Sequence, residues 1–228
     1  MYKLKKALYG LKQAPRAWYI RIHGYFKSVG FQTSVSEPSL YFNKNGTDIL
    51  IIYLYVDDLI FMDNNNKINE EFQTQMMVAF KMKDLGLMSY FLGLEVHQMQ
   101  DEIFVSRTKY VKDMLKKFKM ENCTSVEIPI AHGEDLCKED GKPKVNKKEY
   151  RSIVGSLMFL TNTRSYLQFS VSLMERYMSD PSIAHLNAAK GILRYVKGTI
   201  DYGIHYECNS KFKLSDFSDS DWGNDLDD

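Results

Sequence analysis

The sequence predicts an α+β protein in which an antiparallel, hairpin-built sheet with flanking helices precedes a mainly helical half. Three observations predict it. Residues Ile49 to Met62 read ILIIYLYVDDLIFM, too rich in β-branched and aromatic side chains to prefer helix and too long for one average strand. Asp57-Asp58 interrupts that run and Asn45-Gly46 precedes it, so turn signals divide the extended chain into hairpins. After residue 146, apolar residues recur at helical spacing in successive segments separated by short polar breaks.

The elements follow in order. APRAWYIRIHGYFKSVGF has Pro15 in a first helical turn, Trp18, Ile22, Tyr25, Phe26 and Val29 on one face, and Gly30 as a stop. LYFNKNGTDILIIYLYVDD forms a hairpin about Asn45-Gly46, because both residues accept positive φ. Asn66 is placed to cap a helix through Phe80, with Ile68, Phe72, Met76 and Phe80 along one stripe and Asp84-Leu85-Gly86 after it. SYFLGLEVHQMQDEIFVSR alternates as two strands around a polar turn near Gln100 and Asp101. Ser106 is placed to cap a basic amphipathic helix with Tyr110, Val111, Met114, Leu115 and Phe118 inward and Lys109, Lys112, Lys116, Lys117 and Lys119 outward. That lysine face is either solvated or follows phosphates. Residues 131–146 are polar and hold Gly133, Gly141 and Pro143, as a loop does; helices over YRSIVGSLMFLTNT, SYLQFSVSLMERYM and SIAHLNAAKGILRYVKGT then form a small bundle, with Pro181 separating the last two. TIDYGIHYE and KFKLSDFSDSDW return to alternation.

At 228 residues and 44% hydrophobic composition the chain can bury a real core. Its net charge of +1 names no partner, but the charge is uneven. Lys3, Lys5, Lys6, Lys12, Arg16, Arg21 and Lys27 all precede the first acid, Glu37, whereas Asp216 to Asp228 holds six aspartates and no cation. Such asymmetry suggests polyanion contact at one place and metal or solvent contact at another. Cys123, Cys137 and Cys208 are widely spaced and odd in number, which fits a reduced, intracellular compartment (cytoplasm or nucleus) and excludes a zinc-finger pattern. There is no signal-peptide pattern and no apolar run near the ~20 residues of a membrane helix, so a soluble, non-secreted protein is expected.

Burying an unpaired carboxylate costs several kcal/mol in effect, so Asp57-Asp58 marks either a solvated hairpin turn or a site with a compensating cation. Taken alone, the pair fits the turn. Two carboxylates on a tip stiffened by buried strands also suit a hard divalent ion such as Mg²⁺. Neighbours on a strand point to opposite faces, so a further carboxylate from another strand is expected. Two ions about 4 Å apart then stabilise the attacking and leaving oxygens of an in-line phosphoryl transfer.

KKALYGLKQAPRAWY, YVDD, MKDLGLMSYFLGLEV, RTKYVKDMLKKFKM, YRSIVGSLMFLTNTRS and DSDWGNDLDD resemble, in this order and over nearly the entire chain, the reverse transcriptase of copia-type retrotransposons. The resemblance implies a partial right-hand polymerase palm over residues 1–104, a helical thumb and connection over 105–198, and the start of a ribonuclease H-like domain over 199–228. It implies an RNA-directed DNA polymerase, a nucleotidyltransferase that extends a primer on an RNA or DNA template with deoxynucleoside triphosphates and Mg²⁺. Asp57 and Asp58 would be the metal-binding pair, with Tyr55 and Val56 against the primer end and incoming nucleotide. Gly10, Lys12 and Gln13 become candidates for nucleotide or template contact, although Lys12 also reads as a surface lysine and Gly10 as a turn residue. Lys83 resembles the palm lysine that assists pyrophosphate departure, and equally a solvated helix end. Phe91 to Leu94, with Leu92 and Gly93 at the centre, match the primer-gripping hairpin or a plain core strand. Asp219 resembles the first metal-binding aspartate of the ribonuclease H domain, ahead of Asp221.

The family carries another palm aspartate and the fingers upstream of ALYGLKQAP, and TRSYLQF replaces its usual TRPDI. The expectation is therefore a polyprotein fragment with little or no polymerase activity alone. A non-catalytic nucleic-acid-binding remnant and an inert gene fragment are the alternatives.

Overall fold

The computed structural model describes residues 10–130 and 136–208, a mixed α+β chain with two antiparallel sheets. It divides into compact units, Met1–Gly86 and Leu87–Asp228. This is a boundary of packing, distinct from the palm-to-thumb division expected after residue 104.

In the first unit, helix α1 (Ala14–Ser28) leads into strands β1 (Gln32–Thr33), β2 (Leu40–Asn45), β3 (Asp48–Tyr55) and β4 (Asp58–Asp63), followed by helix α2 (Asn66–Phe80). The strands pair antiparallel in sequential order. Leu50, Ile52 and Leu54 alternate along β3 and are buried, so the period of two gives one face of the sheet to the core. Ile22 and Phe26 of α1 and Phe72 and Met76 of α2 join them with Phe31 and Tyr41. Each such aliphatic or aromatic side chain contributes roughly 1.5–3 kcal/mol by leaving water.

The β2–β3 turn lies one residue later than the sequence suggests. Asn45 pairs with Asp48, leaving Gly46 and Thr47 as the loop, and Gly46 takes the positive φ of +64°. Asn64, just beyond β4, fixes that end: its Oδ1 accepts from the Ile49 amide at 2.9 Å and its Nδ2 donates to the Thr47 carbonyl at 2.8 Å. The α2 cap is Asn65 rather than Asn66, with its side chain accepting from the Lys67 amide. Helix α2 stops at Phe80 because Lys81 is left-handed, before the Asp84-Leu85-Gly86 signal.

The second unit has three strands where two were expected before its first helix. Strands β5 (Tyr90–Phe91), β6 (Leu94–Gln98) and β7 (Glu102–Ser106) pair in order, because Leu92 and Gly93 both adopt positive φ and close a tight turn inside FLGL. The expected turn at Gln100 and Asp101 is present between β6 and β7. Helix α3 (Thr108–Lys117) buries Val111, Met114 and Leu115 and exposes Lys109, Lys112, Lys116 and Lys117, with Lys119 also exposed just past its end. Its start is not capped by Ser106, which ends β7; Glu95 of β6 instead accepts from the Lys109 amide at 2.6 Å.

Helices α4 (Lys147–Thr161), α5 (Gln168–Glu175) and α6 (Ile183–Gly198) pack with α3 around Ile153, Val154, Leu157, Val171, Ile192 and Leu193. Asn146 caps α4, and Ser182 with His185 forms a capping box on α6. Where TRSYLQF departs from the family pattern, a short 3-10 turn over Ser165–Leu167 enters α5. The buried Arg164 closes this junction, donating to Thr199 Oγ1 at 3.1 Å and to the Ile200 carbonyl at 2.7 Å. Strand β8 (Gly203–Glu207) pairs with β7, so the first residues of segment 199–228 complete this unit's sheet. Among the described residues no helix is long and apolar enough to cross a membrane.

Candidate active-site hairpin

The register that pairs Tyr55 with Asp58 leaves Val56 and Asp57 as a two-residue loop at the β3–β4 tip. Val56 has φ +54°, a left-handed backbone that crowds a β-branched residue and costs about 1–2 kcal/mol. Surrounding contacts hold it there. The Trp18 indole of α1 donates to the Val56 carbonyl at 2.7 Å, and the Trp18 ring meets the edge of Phe80 at 5.3 Å. Both helices therefore brace the tip, since Phe80 ends α2 and also packs on Tyr25 of α1.

Tyr55, Val56, Asp57 and Asp58 are exposed. Asp57 lies in the turn itself, so strict strand alternation does not separate it from Asp58; both carboxylate residues line one groove of about 340 Å³. Lys83 and Asp84 line the same groove from the segment after α2, together with apolar residues that include Met76 and Phe61. Asp84 Oδ1 accepts from the Gly86 amide at 2.9 Å, which commits that oxygen to its own turn. Among the described residues no group of three or more His, Cys, Asp or Glu side chains is close enough to hold a metal ion. The groove thus presents hard carboxylate oxygens beside one ammonium group, a donor set whose chemistry suits Mg²⁺ and anionic phosphate but which leaves most of an octahedral shell to other oxygens.

Other candidates fall elsewhere. Gly10 has φ +86° ahead of α1, and Lys12 and Gln13 are exposed at that helix start, outside the lining of the groove. Gln13 occupies the N-cap position without a side-chain cap bond. Leu92 and Gly93 form the β5–β6 turn of the second unit. Asp219 and Asp221 lie outside the described residues.

Sequence reasoning missed Trp18 and Asp84. Trp18 reads as one more apolar member of the α1 stripe, yet an indole N–H near a core needs an acceptor, and that requirement was the available signal. Asp84 reads as a helix stop because nothing in the linear sequence brings 81–86 back to the β3–β4 tip.

The family described as reverse transcriptase (RNA-dependent DNA polymerase) matches residues 1–132. The chain is 37% identical over 226 residues to the retrovirus-related Pol polyprotein from transposon RE1 of Arabidopsis thaliana, covering 99% of this chain and 15% of that protein. The corresponding protein from transposon RE2 of the same plant is 36% identical, again over 99% of this chain and 16% of its own length. The Pol polyprotein from transposon TNT 1-94 of Nicotiana tabacum is 32% identical over 99% of this chain and 18% of its own. The chain thus spans less than a fifth of the length of these relatives. No solved structure matches it. With the motifs in family order and the YVDD residues on a braced hairpin tip, the chain belongs to the reverse transcriptase family of copia/Ty1-type retrotransposon Pol polyproteins.

Proposed function

We propose that the β3–β4 hairpin is the catalytic tip of an RNA-directed DNA polymerase palm, with residues 1–104 as palm, 105–198 as thumb and connection, and 199–228 as the opening of a ribonuclease H-like region containing Asp219. The observation that carries this is the groove that gathers Asp57, Asp58 and Lys83. Asp57 and Asp58 hold divalent cations against the phosphates of an incoming deoxynucleoside triphosphate. Bound Mg²⁺ supplies charge neutralisation for phosphoryl transfer. Lys83 offers a cation to the departing pyrophosphate. Tyr55 and Val56 face the primer end, Gly10, Lys12 and Gln13 contact nucleotide or template, and the Leu92–Gly93 turn supports the primer. The exposed lysines of α3 follow duplex phosphates by charge and shape, as copying arbitrary templates requires.

A second reading is a non-catalytic nucleic-acid binder, favoured by the lack of a three-carboxylate set among the described residues. Primer extension on RNA and DNA templates separates the two. Polymerase function predicts extension by the chain, weak on its own, that disappears in Asp57→Asn/Asp58→Asn and falls about tenfold or more in Lys83→Ala. Salt-sensitive duplex binding without any extension supports the second reading instead.

A further inference from the structure

Arg107 lies between β7 and α3 and is only 6% exposed. Its Nε and Nη1 are buried without a hydrogen-bond partner. The guanidinium carbon sits 4.0 Å from the centre of the Phe159 ring of α4, which covers one face of the group. On another side lies the Leu92–Gly93 turn, where a Cβ on Gly93 would come within 3.3 Å of Nη1. Glu95, opposite Ser106 in the β6–β7 register, commits its Oε1 to the Lys109 amide. Burial pushes the Arg107 guanidinium below its usual range, and nearby Tyr110 and Tyr90 only partly offset this.

Arg164 is buried at least as deeply and its Nε also lacks a partner, yet both of its terminal nitrogens are bonded across a helix junction, so its structural role is plain. Arg107 has the cost of burial without that return. A planar fork with unused N–H groups is built for an oxyanion, and removing it from water raises the strength of any bond to one. The surroundings favour a nucleic acid as the source of that anion. Tyr90, Leu92 and Phe159 are exposed, and so are Lys109 and Lys112 on the first turns of α3. Aromatic faces beside a cationic ridge match a polynucleotide backbone with its adjacent sugars and bases.

We propose that Arg107 binds a backbone phosphate of a bound nucleic acid duplex at the Leu92–Gly93 turn, with Phe159 holding the guanidinium plane and the missing Cβ of Gly93 leaving room for Nη1. The proposal rests on the polymerase reading only for the identity of the polyanion. The strained left-handed Leu92 makes the turn the element that shifts when the phosphate enters.

Fluorescence anisotropy with a labelled RNA–DNA hybrid duplex, read over a salt series for the whole chain, tests it. Arg107→Gln is expected to weaken binding about tenfold and to lower the salt slope by about one, with no loss of thermal stability. Arg107→Lys keeps the charge and the slope but loses the fork, and is expected to bind several-fold more weakly than wild type. Equal affinity of Arg107→Gln and wild type overturns the proposal while leaving the polymerase reading intact. No duplex binding by wild type overturns both. If Arg107→Gln unfolds, Arg107→Lys decides: a lost fork with an unchanged fold supports the site, and wild-type affinity overturns it. Poly-aspartate binding that depends on Arg107 while duplex binding does not would reassign the site to acidic peptide and overturn the proposal.

Discussion

Val56 and Trp18 show how a single residue's backbone is fixed by a distant side chain. The sequence marks Asp57-Asp58 as a turn, and the turn is there, but shifted so that Val56 takes the left-handed position. A two-residue hairpin loop demands positive φ at its first position, where valine has the wrong propensity, and the tertiary hydrogen bond from Trp18 helps to hold it there. Replacing Val56 with Gly relieves that crowding while adding unfolded-state entropy, so a net stabilisation below about 1 kcal/mol is expected in urea unfolding. Trp18→Phe keeps the ring against Phe80 and removes the donor. It is expected to destabilise the chain by about 1 kcal/mol and to loosen the tip.

At the scale of elements, periodicity gave the helices and their buried faces, while caps and turns were legible only to within a residue. Phe72 and Met76, Val111, Met114 and Leu115 are buried as the spacing requires. Ser106 and Asn66 failed as caps for different reasons: β7 extends through Ser106, and Asn65 already satisfies the first turn of α2. The third strand of the second unit was hidden because FLGL is apolar throughout and its turn uses a left-handed leucine. Polar contacts at the starts of α4 and α6 predict a modest loss of stability in acid, since both carboxylates involved are accessible to solvent. Ser182 donates to Asp140, and Lys147 and Lys144 pair with Asp180; each carboxyl is held below its usual range by those contacts. A depressed folded-state pKa contributes stability above the unfolded value near ~4 and loses it as pH falls through the folded value. Thermal midpoints are therefore expected to fall below about pH 4. Asp180→Asn should melt below wild type at neutral pH and converge with it in acid. The Tyr150 phenol, raised by burial and donating to the Met174 carbonyl at 2.8 Å, acts at the other end. Its contribution is complete below about pH 10 and is lost as pH rises above that.

For the whole molecule, the α+β class and hairpin-then-helix order were legible, but the division after Gly86 was not. The segment 81–86 carries no regular structure and looks in sequence like a short helix exit, yet it supplies Lys83 and Asp84 to the groove before the second unit begins. Composition hid the charge logic as well, because a net charge of +1 averages a lysine ridge on α3 with acidic stretches elsewhere. Duplex affinity is expected to fall steeply with salt, and Lys112→Gln/Lys116→Gln should lower the slope by about two without altering template preference.

The most direct measurement is paramagnetic broadening of backbone amide signals by Mn²⁺, a stand-in for Mg²⁺, added with a deoxynucleoside triphosphate. Broadening centred on residues 56–59 and 83–86, and abolished in Asp57→Asn/Asp58→Asn, is the predicted result. Broadening that is centred away from the β3–β4 tip, or is the same in the double variant, would contradict the assignment of this hairpin as the cation and nucleotide site.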